Sequence, residues 1–362
     1  MNYKKIVLLV LGFFVSFVGF SQDAKERNQE NINVNKFRQL YQEFSSPNMF
    51  RTASGAPGPA YYQQQADYKM DIELDDENKR IYGSETITYT NNSPDNLEYL
   101  WVQLDQNIRK KDSPSLLIDG GGVSPAYLPS GFTKEFLTDS FDGGFNIEYV
   151  VDENKNPLKH FVNQTMMRVD LPNILKSGES FSFSIKWWYN IQDHVNQDGR
   201  SGYESFDKDG NRVYIIAQFF PRMAVYNEVE GWQNYQFWGD GEFALPFGNY
   251  DVKITVPSDH ILDATGELQN RKNVFSKEMI KRYNKAKKTY DKPVMIVTQA
   301  EAEEVEKGFS KKKKTWHFKA KNVRDFAFAT SRKFIWEMME VNIGDKDVMD
   351  VSMYQKQDKN LW

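Results

Sequence analysis

The chain has 362 residues, a formal net charge of −4 and no cysteine. Without cysteine it can form no disulfide, thiolate metal site or cysteine nucleophile. Because phosphate binding needs a basic face, this charge balance also argues against nucleic acid as a partner.

The N-terminus has the pattern of a secretory signal peptide over residues 1–21. Lys4 and Lys5 form the charged region, and an apolar run covers residues 6–20. We therefore expect a secreted or periplasmic protein. An uncleaved membrane anchor is the alternative, although the apolar run is short for a spanning helix. Residues 22–60 are polar and rich in Asn and Gln, which predicts a linker.

From residue 61 onward the hydrophobic pattern is that of strands. Apolar and polar residues alternate over 68–74 and again over 181–188, which is the period of a half-buried strand. Turn signals recur at short intervals and favour hairpins over parallel crossovers. The fold prediction is an all-β, mainly antiparallel domain over residues 61–355, with large twisted sheets packed on each other as a β-sandwich and a few short helices.

Other segments carry weaker patterns. A charged stretch over residues 277–292 predicts a helix, and apolar residues at helical spacing predict another over 334–339. Residues 110–144 are rich in glycine and serine and predict a long loop, either functional or disordered. The final strand is predicted over residues 348–354.

The most distinctive stretch lies between residues 217 and 256. It reads Gln-Phe-Phe-Pro-Arg-Met-Ala-Val-Tyr over residues 218–226, Gly-Trp at 231–232, Gly-Glu-Phe at 241–243 and Phe-Gly-Asn-Tyr-Asp-Val over 247–252. These motifs resemble the non-catalytic N-terminal domain of the aminopeptidase N family of zinc metallopeptidases (gluzincins), in particular its secreted bacteroidete branch. The resemblance implies a saddle-shaped β domain beside a thermolysin-like catalytic domain. The parent reaction would be zinc-assisted hydrolysis of an N-terminal peptide bond.

The zinc-binding motif of that family does not occur in this sequence. It places two histidines four residues apart on one helix, with a glutamate as base for the zinc-bound water. Here His160, His194, His260 and His317 are far apart, and we expect a structural or exposed role for each. We therefore expect no catalytic residue, metal site or cofactor in this chain. Residues 356–362 are interpreted as the start of a missing catalytic domain, which would hold the zinc.

Two residues are candidates for substrate binding. In the wider family, a glutamine of the N-terminal domain hydrogen-bonds the substrate backbone near its free amine, and the resemblance assigns this role to Gln218. A buried glutamine satisfied by backbone groups is the alternative. Glu242 is the second candidate, with an exposed loop carboxylate as its alternative. The expected partners are the missing catalytic domain of the same polypeptide and a peptide substrate.

A stand-alone secreted β-sandwich that binds peptide or glycan is the alternative function. Trp232 and Trp238 would then form a stacking surface, although core packing is the commoner role of tryptophan in such a domain. Asp207 and Asp209 belong to an Asp-x-Asp-Gly turn, which favours a hairpin because a calcium loop needs further oxygen ligands. The four lysines at 311–314 predict a solvated strand edge that discourages aggregation.

Overall fold

The computed structural model describes residues 47–115, 126, 128–133, 141–195, 201–239 and 244–358. The predicted signal peptide, much of the predicted linker, Glu242 and residues 359–362 lie outside these ranges. The chain divides into two compact units, Met1–Tyr62 and Gln63–Trp362. Within the described ranges, no helix is long and apolar enough to span a bilayer.

The described part of the first unit is held by contacts that are local in sequence. Asn48 Oδ1 accepts hydrogen bonds from the backbone N–H groups of Phe50 (2.8 Å) and Arg51 (2.9 Å). Arg51 pairs with Pro57 in an isolated antiparallel bridge, and its guanidinium lies 5.2 Å from the ring centroid of Tyr61. These contacts form a compact turn.

The second unit consists mainly of strands. They are β1 (Gln65–Asp75), β2 (Arg80–Thr90), β3 (Leu97–Gln103), β4 (Asn146–Asp152), β5 (His160–Asn163), β6 (Met166–Leu175), β7 (Ser180–Asn190), β8 (Gly202–Phe206), β9 (Asn211–Ile216), β10 (Arg222–Met223), β11 (Tyr226–Asn227), β12 (Gly231–Trp232), β13 (Gly248–Pro257), β14 (Ile261–Ala264), β15 (Glu267–Leu268), β16 (Val294–Val297), β17 (Lys313–Val323), β18 (Phe328–Ser331), β19 (Ile335–Ile343) and β20 (Lys346–Tyr354). The α-helices are α1 (Pro129–Phe132), α2 (Arg271–Val274), α3 (Lys277–Ala286) and α4 (Gln299–Val305), and 3₁₀ turns cover Asp105–Arg109 and Lys356–Asp358.

The largest sheet has seven strands in the order β15-β17-β13-β1-β2-β7-β4. Strands β1 and β13 pair in parallel, whereas the other pairs of this sheet are antiparallel. Smaller sheets have the orders β10-β3-β6-β5, β14-β18-β9-β8 and β16-β19-β20, and β11 pairs with β12. The predicted all-β, mainly antiparallel sandwich is confirmed.

The core lies on one face of the seven-stranded sheet. Along β1, Tyr68, Met70, Ile72 and Leu74 are buried and alternate with more exposed polar residues, as the sequence predicts. The opposite face carries hydroxyl pairs between β2 and β7, such as Thr86 with Ser184 at 2.9 Å. The alternation of apolar and polar residues therefore gives the sheet one buried, apolar face and one polar face, because successive side chains of a strand point to opposite sides.

The predicted helix over residues 334–339 is wrong, since this segment begins strand β19. The strand lies between β16 and β20 and pairs with both, so its backbone groups are used by two neighbours. Ile335 and Trp336 are both buried although they are adjacent. From Trp336 onward the burial alternates as in a half-buried strand, but Glu340 lies on the buried face and Met339 on the other. The apolar residues therefore do not alternate in the sequence, and their spacing imitated that of a helix.

Two other predicted segments are confirmed. Of the charged stretch predicted over 277–292, residues 277–286 form helix α3, whereas residues 287–292 are not helical. Ser276 accepts a hydrogen bond from the backbone N–H of Met279 at 3.1 Å and caps the first turn. The final strand is β20. Of the predicted loop over 110–144, residues 116–125, 127 and 134–140 lie outside the described residues.

Candidate functional site

The motif segment after β9 is an irregular, largely buried turn. The backbone of Gln218 has a φ of +51°, an uncommon conformation for a residue other than glycine. The next two side chains, Phe219 and Phe220, are fully buried. Phe219 packs against Trp187 with ring centroids 6.4 Å apart, and Phe220 packs against Tyr250 at 6.1 Å. The two phenylalanines thus anchor the turn in the core and fix the backbone at Gln218.

Arg222 is the charged centre of this segment. It is buried, and its Nη2 and Nε lie 2.8 and 3.1 Å from Asp105 Oδ2. Its Nη1 lies 2.7 Å from Asp325 Oδ2. Burial alone would lower the pKa of the Arg222 guanidinium, but the two carboxylates raise it above its ordinary value. Sequence reasoning missed this residue, although an arginine inside an apolar motif was a usable signal because buried arginine needs a partner.

The 3₁₀ turn Asp105–Arg109 connects the motif to distant parts of the chain. Gln106 Nε2 donates a hydrogen bond to the carbonyl oxygen of Gln218 at 2.9 Å. Asn107 Nδ2 donates to the Gln164 carbonyl at 2.7 Å, and Asn107 Oδ1 accepts from the Phe145 N–H at 2.9 Å. A single turn therefore positions three separate segments, including the one that carries Gln218.

Gln218 itself is half-buried. Its carbonyl oxygen is held by Gln106, while its side-chain amide makes no hydrogen bond with any residue that the structure describes. The backbone is thus fixed and the amide is available to an external group. The second candidate, Glu242, lies outside the described residues.

The last motif enters β13 and explains its glycine. A Cβ on Gly248 would lie 1.6 Å from the carbonyl oxygen of Ala66, so only glycine allows the backbones to approach this closely. Further along, Tyr250 stacks on Tyr68 with ring centroids 4.8 Å apart. The backbone N–H of Met223 donates a hydrogen bond to Tyr68 Oη at 2.9 Å. The parallel β1–β13 pair is thereby attached to the Arg222 region.

The two tryptophans of the alternative function are both half-buried. Trp232 packs edge-to-face on Tyr226, with ring centroids 5.2 Å apart, and lies 5.9 Å from the buried ring of Tyr89. Tyr226 Oη in turn donates a hydrogen bond to Asp95 Oδ2 at 2.8 Å. Trp232 is therefore packed against the core and does not present an isolated stacking platform.

Two of the four histidines contact polar side chains of neighbouring strands. His260 is fully buried, with Nδ1 3.2 Å from Thr330 Oγ1, and burial lowers the pKa of His260 to about 3. His317 Nε2 lies 2.6 Å from Asp251 Oδ1. Across the described ranges, no three His, Asp or Glu side chains are grouped so that they could hold a metal ion.

Two minor predictions have different outcomes. Residues 207–210 form the turn between β8 and β9, as the Asp-x-Asp-Gly pattern predicts. The lysine run is only partly solvated, since Lys314 lies 4.9 Å from the ring centroid of Trp316 and burial lowers its pKa to about 8. The neighbouring strand edge is covered, because Asn270 donates to the Thr315 carbonyl at 2.9 Å and accepts from the His317 N–H at 3.0 Å.

No protein-family model matches the chain, and no curated protein matches it. Among solved structures, it is similar to the M1 zinc metallopeptidase from Deinococcus radiodurans, with a TM-score of 0.44, 11% sequence identity and coverage of 83% of this chain and 49% of that one. For a mutant of the same enzyme, the TM-score is 0.44 and the sequence identity 11%, with coverage of 83% of this chain and 50% of that one. For a mutant two-domain M1 zinc metallopeptidase bound to L-tryptophan, the TM-score is 0.43 and the sequence identity 10%, with coverage of 83% of this chain and 50% of that one. The chain spans about half the length of these structures, so the activity and partners of a whole enzyme are proposals for it.

Proposed function

We propose that this chain is the non-catalytic N-terminal β domain of a secreted zinc-dependent aminopeptidase. It would pack on the catalytic domain of the same polypeptide and form one wall of the peptide-binding cleft. Zinc and the residues that activate water would belong to that other domain. The proposal rests on the motifs over residues 218–252 and on the way their side chains meet in the fold.

The observation that carries the proposal is the state of Gln218. Its backbone has a left-handed conformation, its carbonyl is held by Gln106, and its amide has no partner within the described ranges. An amide side chain offers both an acceptor oxygen and two N–H donors. It can therefore accept from the free amine of a peptide and donate to a peptide carbonyl.

The surrounding residues support a positioning role. Arg222 ties the motif to Asp105 on the same 3₁₀ turn that carries Gln106. A functional side chain is effective when its neighbours hold it within a fraction of an ångström of the productive geometry. In this proposal, the buried ion pairs serve to hold Gln218 in place.

The test compares two polypeptides. The first is the 362-residue chain, which we expect to hydrolyse no aminoacyl substrate even with added zinc. The second is the product of the coding frame read beyond Trp362 to a His-Glu-x-x-His motif, which we expect to release N-terminal residues until a chelator removes the metal. Turnover by the shorter chain, abolished by the chelator, would contradict the proposal. A stop codon after Trp362 together with a stable monomer would favour the binding-module alternative.

A variant of Gln218 extends the same assay to the site. Gln218→Asn keeps a residue that tolerates left-handed backbone but shortens the amide. Because a hydrogen bond to a charged group contributes about 1.5–3 kcal/mol, we expect kcat/KM of the longer polypeptide to fall by about 10- to 100-fold. The matched control is Gln269→Asn, which shortens an exposed glutamine that follows β15. Equal activity of the two variants would remove Gln218 from the site.

A further inference from the structure

Residues 271–292 form a strongly basic surface, which comprises helices α2 and α3 and the turn that follows them. This stretch holds nine of the 46 lysine and arginine residues of the chain, but only two of its 50 acidic residues. Its net charge is therefore +7, although the net charge of the whole chain is −4. All seven of its lysines are exposed. We call residues 271–292 the basic surface.

Helical spacing places the lysines of α3 on the side away from the core. Lys277, Lys281 and Lys285 recur every four residues, and residues four apart are neighbours on one helix face. Because an α-helix rises about 1.5 Å per residue, successive lysines are about 6 Å apart along the axis. The apolar side chains of α3, such as Met279 and Tyr283, pack against the core instead. The fold therefore uses the apolar face of α3 and leaves the lysine face uncovered.

The carboxylates next to α3 are already taken up by an arginine. Arg282 Nε lies 3.3 Å from Glu278 Oε1, and its Nη1 lies 2.6 Å from Glu301 Oε2. The other arginine, Arg271, lies 4.7 Å from the ring centroid of Tyr283. Within the part of the chain that the structure describes, none of the seven lysines forms an ion pair or a side-chain hydrogen bond. The charge that this surface offers to a partner is therefore lysine charge.

The stability of α3 does not explain these lysines. Like charges four residues apart destabilise a helix, and this applies to Lys277 with Lys281 and to Lys281 with Lys285. Lys277 is also the first residue of α3, where a cation opposes the helix dipole. The arrangement costs helix stability, so its benefit lies outside the helix.

The lysine run at 311–314 differs from the basic surface. Lys311 Nζ lies 3.4 Å from Glu77 Oε2, and Lys313 forms an ion pair with Glu73. Lys314 packs on the ring of Trp316. Most of the charges of that run have partners inside the chain, whereas the lysines of the basic surface have none among the described residues.

We propose that the basic surface binds the headgroups of anionic phospholipids, with α3 lying along the bilayer. Lysine is a compact, strongly hydrated point charge, and each lysine close to a negatively charged bilayer adds to the attraction. Tyr290 follows Lys288 in this surface and is 54% exposed, and tyrosine is favoured at the level of the headgroups. Because the apolar face of α3 is buried in the fold, the binding is electrostatic and superficial.

A nucleic acid fits this surface less well. The arginine fork matches a phosphate with two parallel hydrogen bonds, but Arg271 and Arg282 are both engaged within the chain. The rest of the chain is negatively charged and would repel a long polyanion that extends beyond the basic surface, whereas a bilayer meets this side alone. The lipid site requires neither zinc nor peptide hydrolysis, so it is independent of the proposed function.

The experiment is flotation of the 362-residue chain with two kinds of vesicle. One contains phosphatidylcholine alone, and the other contains phosphatidylcholine and phosphatidylglycerol in about equal parts. We expect binding to the anionic vesicles to be tighter by about tenfold or more, and this preference should disappear in about 1 M salt, where the Debye length is about 3 Å. The apolar run over residues 6–20 should bind both kinds of vesicle alike, so the difference between them reports the charge.

A triple variant attributes the preference to the basic surface. It combines Lys281→Gln, Lys285→Gln and Lys288→Gln, which remove three charges from exposed positions and keep a residue of similar helix propensity. We expect its affinity for the anionic vesicles to fall by about tenfold or more. Its binding to phosphatidylcholine vesicles should not change.

The matched control removes the same charge from another part of the molecule. It combines Lys69→Gln, Lys253→Gln and Lys321→Gln, three exposed lysines on β1, β13 and β17 of the seven-stranded sheet. The control and the triple variant have the same net charge, and the control should bind the anionic vesicles like the wild type.

Three vesicle results would overturn the proposal. They are equal binding of the wild type to both kinds of vesicle, an unchanged preference in the triple variant, and an equal loss in the matched control. A fourth measurement uses duplex DNA of mixed sequence. If the chain binds this DNA more tightly than the anionic vesicles and the triple variant does not, the surface binds nucleic acid and the lipid assignment is wrong.

Discussion

The region around Arg222 and the interior of the seven-stranded sheet differ in whether a buried ionisable side chain has hydrogen-bond or ion-pair partners. Arg222 is bonded to Asp105 and Asp325. Glu85, on the buried face of β2, is 2% exposed, and neither of its carboxylate oxygens has a hydrogen-bond partner among the described residues. Burial raises the pKa of Glu85 well above its usual range, and the nearby Trp187 indole acts in the opposite direction. A buried group with partners thus stays ionised, whereas one without partners keeps its proton.

The largest effect is expected from removing the paired cation. Arg222→Met leaves Asp105 buried without its partner, and breaking a buried pair in this way costs about 3–5 kcal/mol of unfolding free energy. Urea denaturation followed by far-UV circular dichroism measures the loss. The control is Arg324→Met, because Arg324 is exposed, and it should change stability by less than about 0.5 kcal/mol. Similar losses in both variants would mean that the Arg222 pairs do not stabilise this region.

The second-largest loss of stability is expected from a variant that tests whether close backbone packing also stabilises the motif region. Gly248→Ala places a methyl group against the Ala66 carbonyl oxygen, and since both groups are on the backbone neither can move away cheaply. We expect a loss of about 2–3 kcal/mol in the same denaturation assay. Gly308→Ala is the matched control, because the nearest atom to its added Cβ is 3.9 Å away. A loss equal to that of the control would show that the β1–β13 pair adjusts freely.

The smallest effect is expected from Glu85, the buried carboxyl group of the comparison. Glu85 has a higher pKa in the folded than in the unfolded chain, so its contribution to stability is fully present below the unfolded pKa of 4.5 and is lost as the pH rises. Glu85→Met removes this dependence. We expect the variant to gain stability relative to the wild type as the pH rises above 4.5, because only the wild type has a buried carboxyl group that must either ionise or hold its proton against the rising pH.

The measurement is urea denaturation of the wild type and Glu85→Met at pH 4.5, 6 and 7. Glu98→Met serves as the control because Glu98 is exposed on β3, and its difference from the wild type should not grow in this way. If the stability difference for Glu85→Met is the same at all three pH values, Glu85 titrates normally and has a partner that keeps it ionised.

Local patterns in the sequence predicted much of the fold. The alternation of apolar and polar residues predicted β1 and β7, the turn residues predicted the hairpins, and the charged stretch after Ser276 predicted α3. The helix predicted over 334–339 was wrong because the buried face of β19 includes the polar Glu340 and the other face includes Met339, so that the alternation in burial is not an alternation of apolar and polar residues. Pairing between neighbouring strands decided that segment, and the pairing partners are distant in the sequence.

The candidate site was only partly accessible to sequence reasoning. The resemblance pointed to Gln218, but not to Gln106, which is 112 residues earlier and holds the Gln218 carbonyl. Asp105, the carboxylate beside Arg222, is 117 residues away from it. No periodicity connects residues at such separations.

For this protein, the sequence alone determined the properties that depend on near neighbours: which stretches alternate, where turns interrupt them, and that no thiol chemistry is possible. The tertiary structure decided which charges are paired, why residue 248 must be glycine, and that Glu85 is buried with no hydrogen-bond partner among the described residues. The physical reason is that hydrogen bonds and ion pairs act over a few ångströms in space, and only the folded chain brings Arg222, Asp105 and Asp325 within that range.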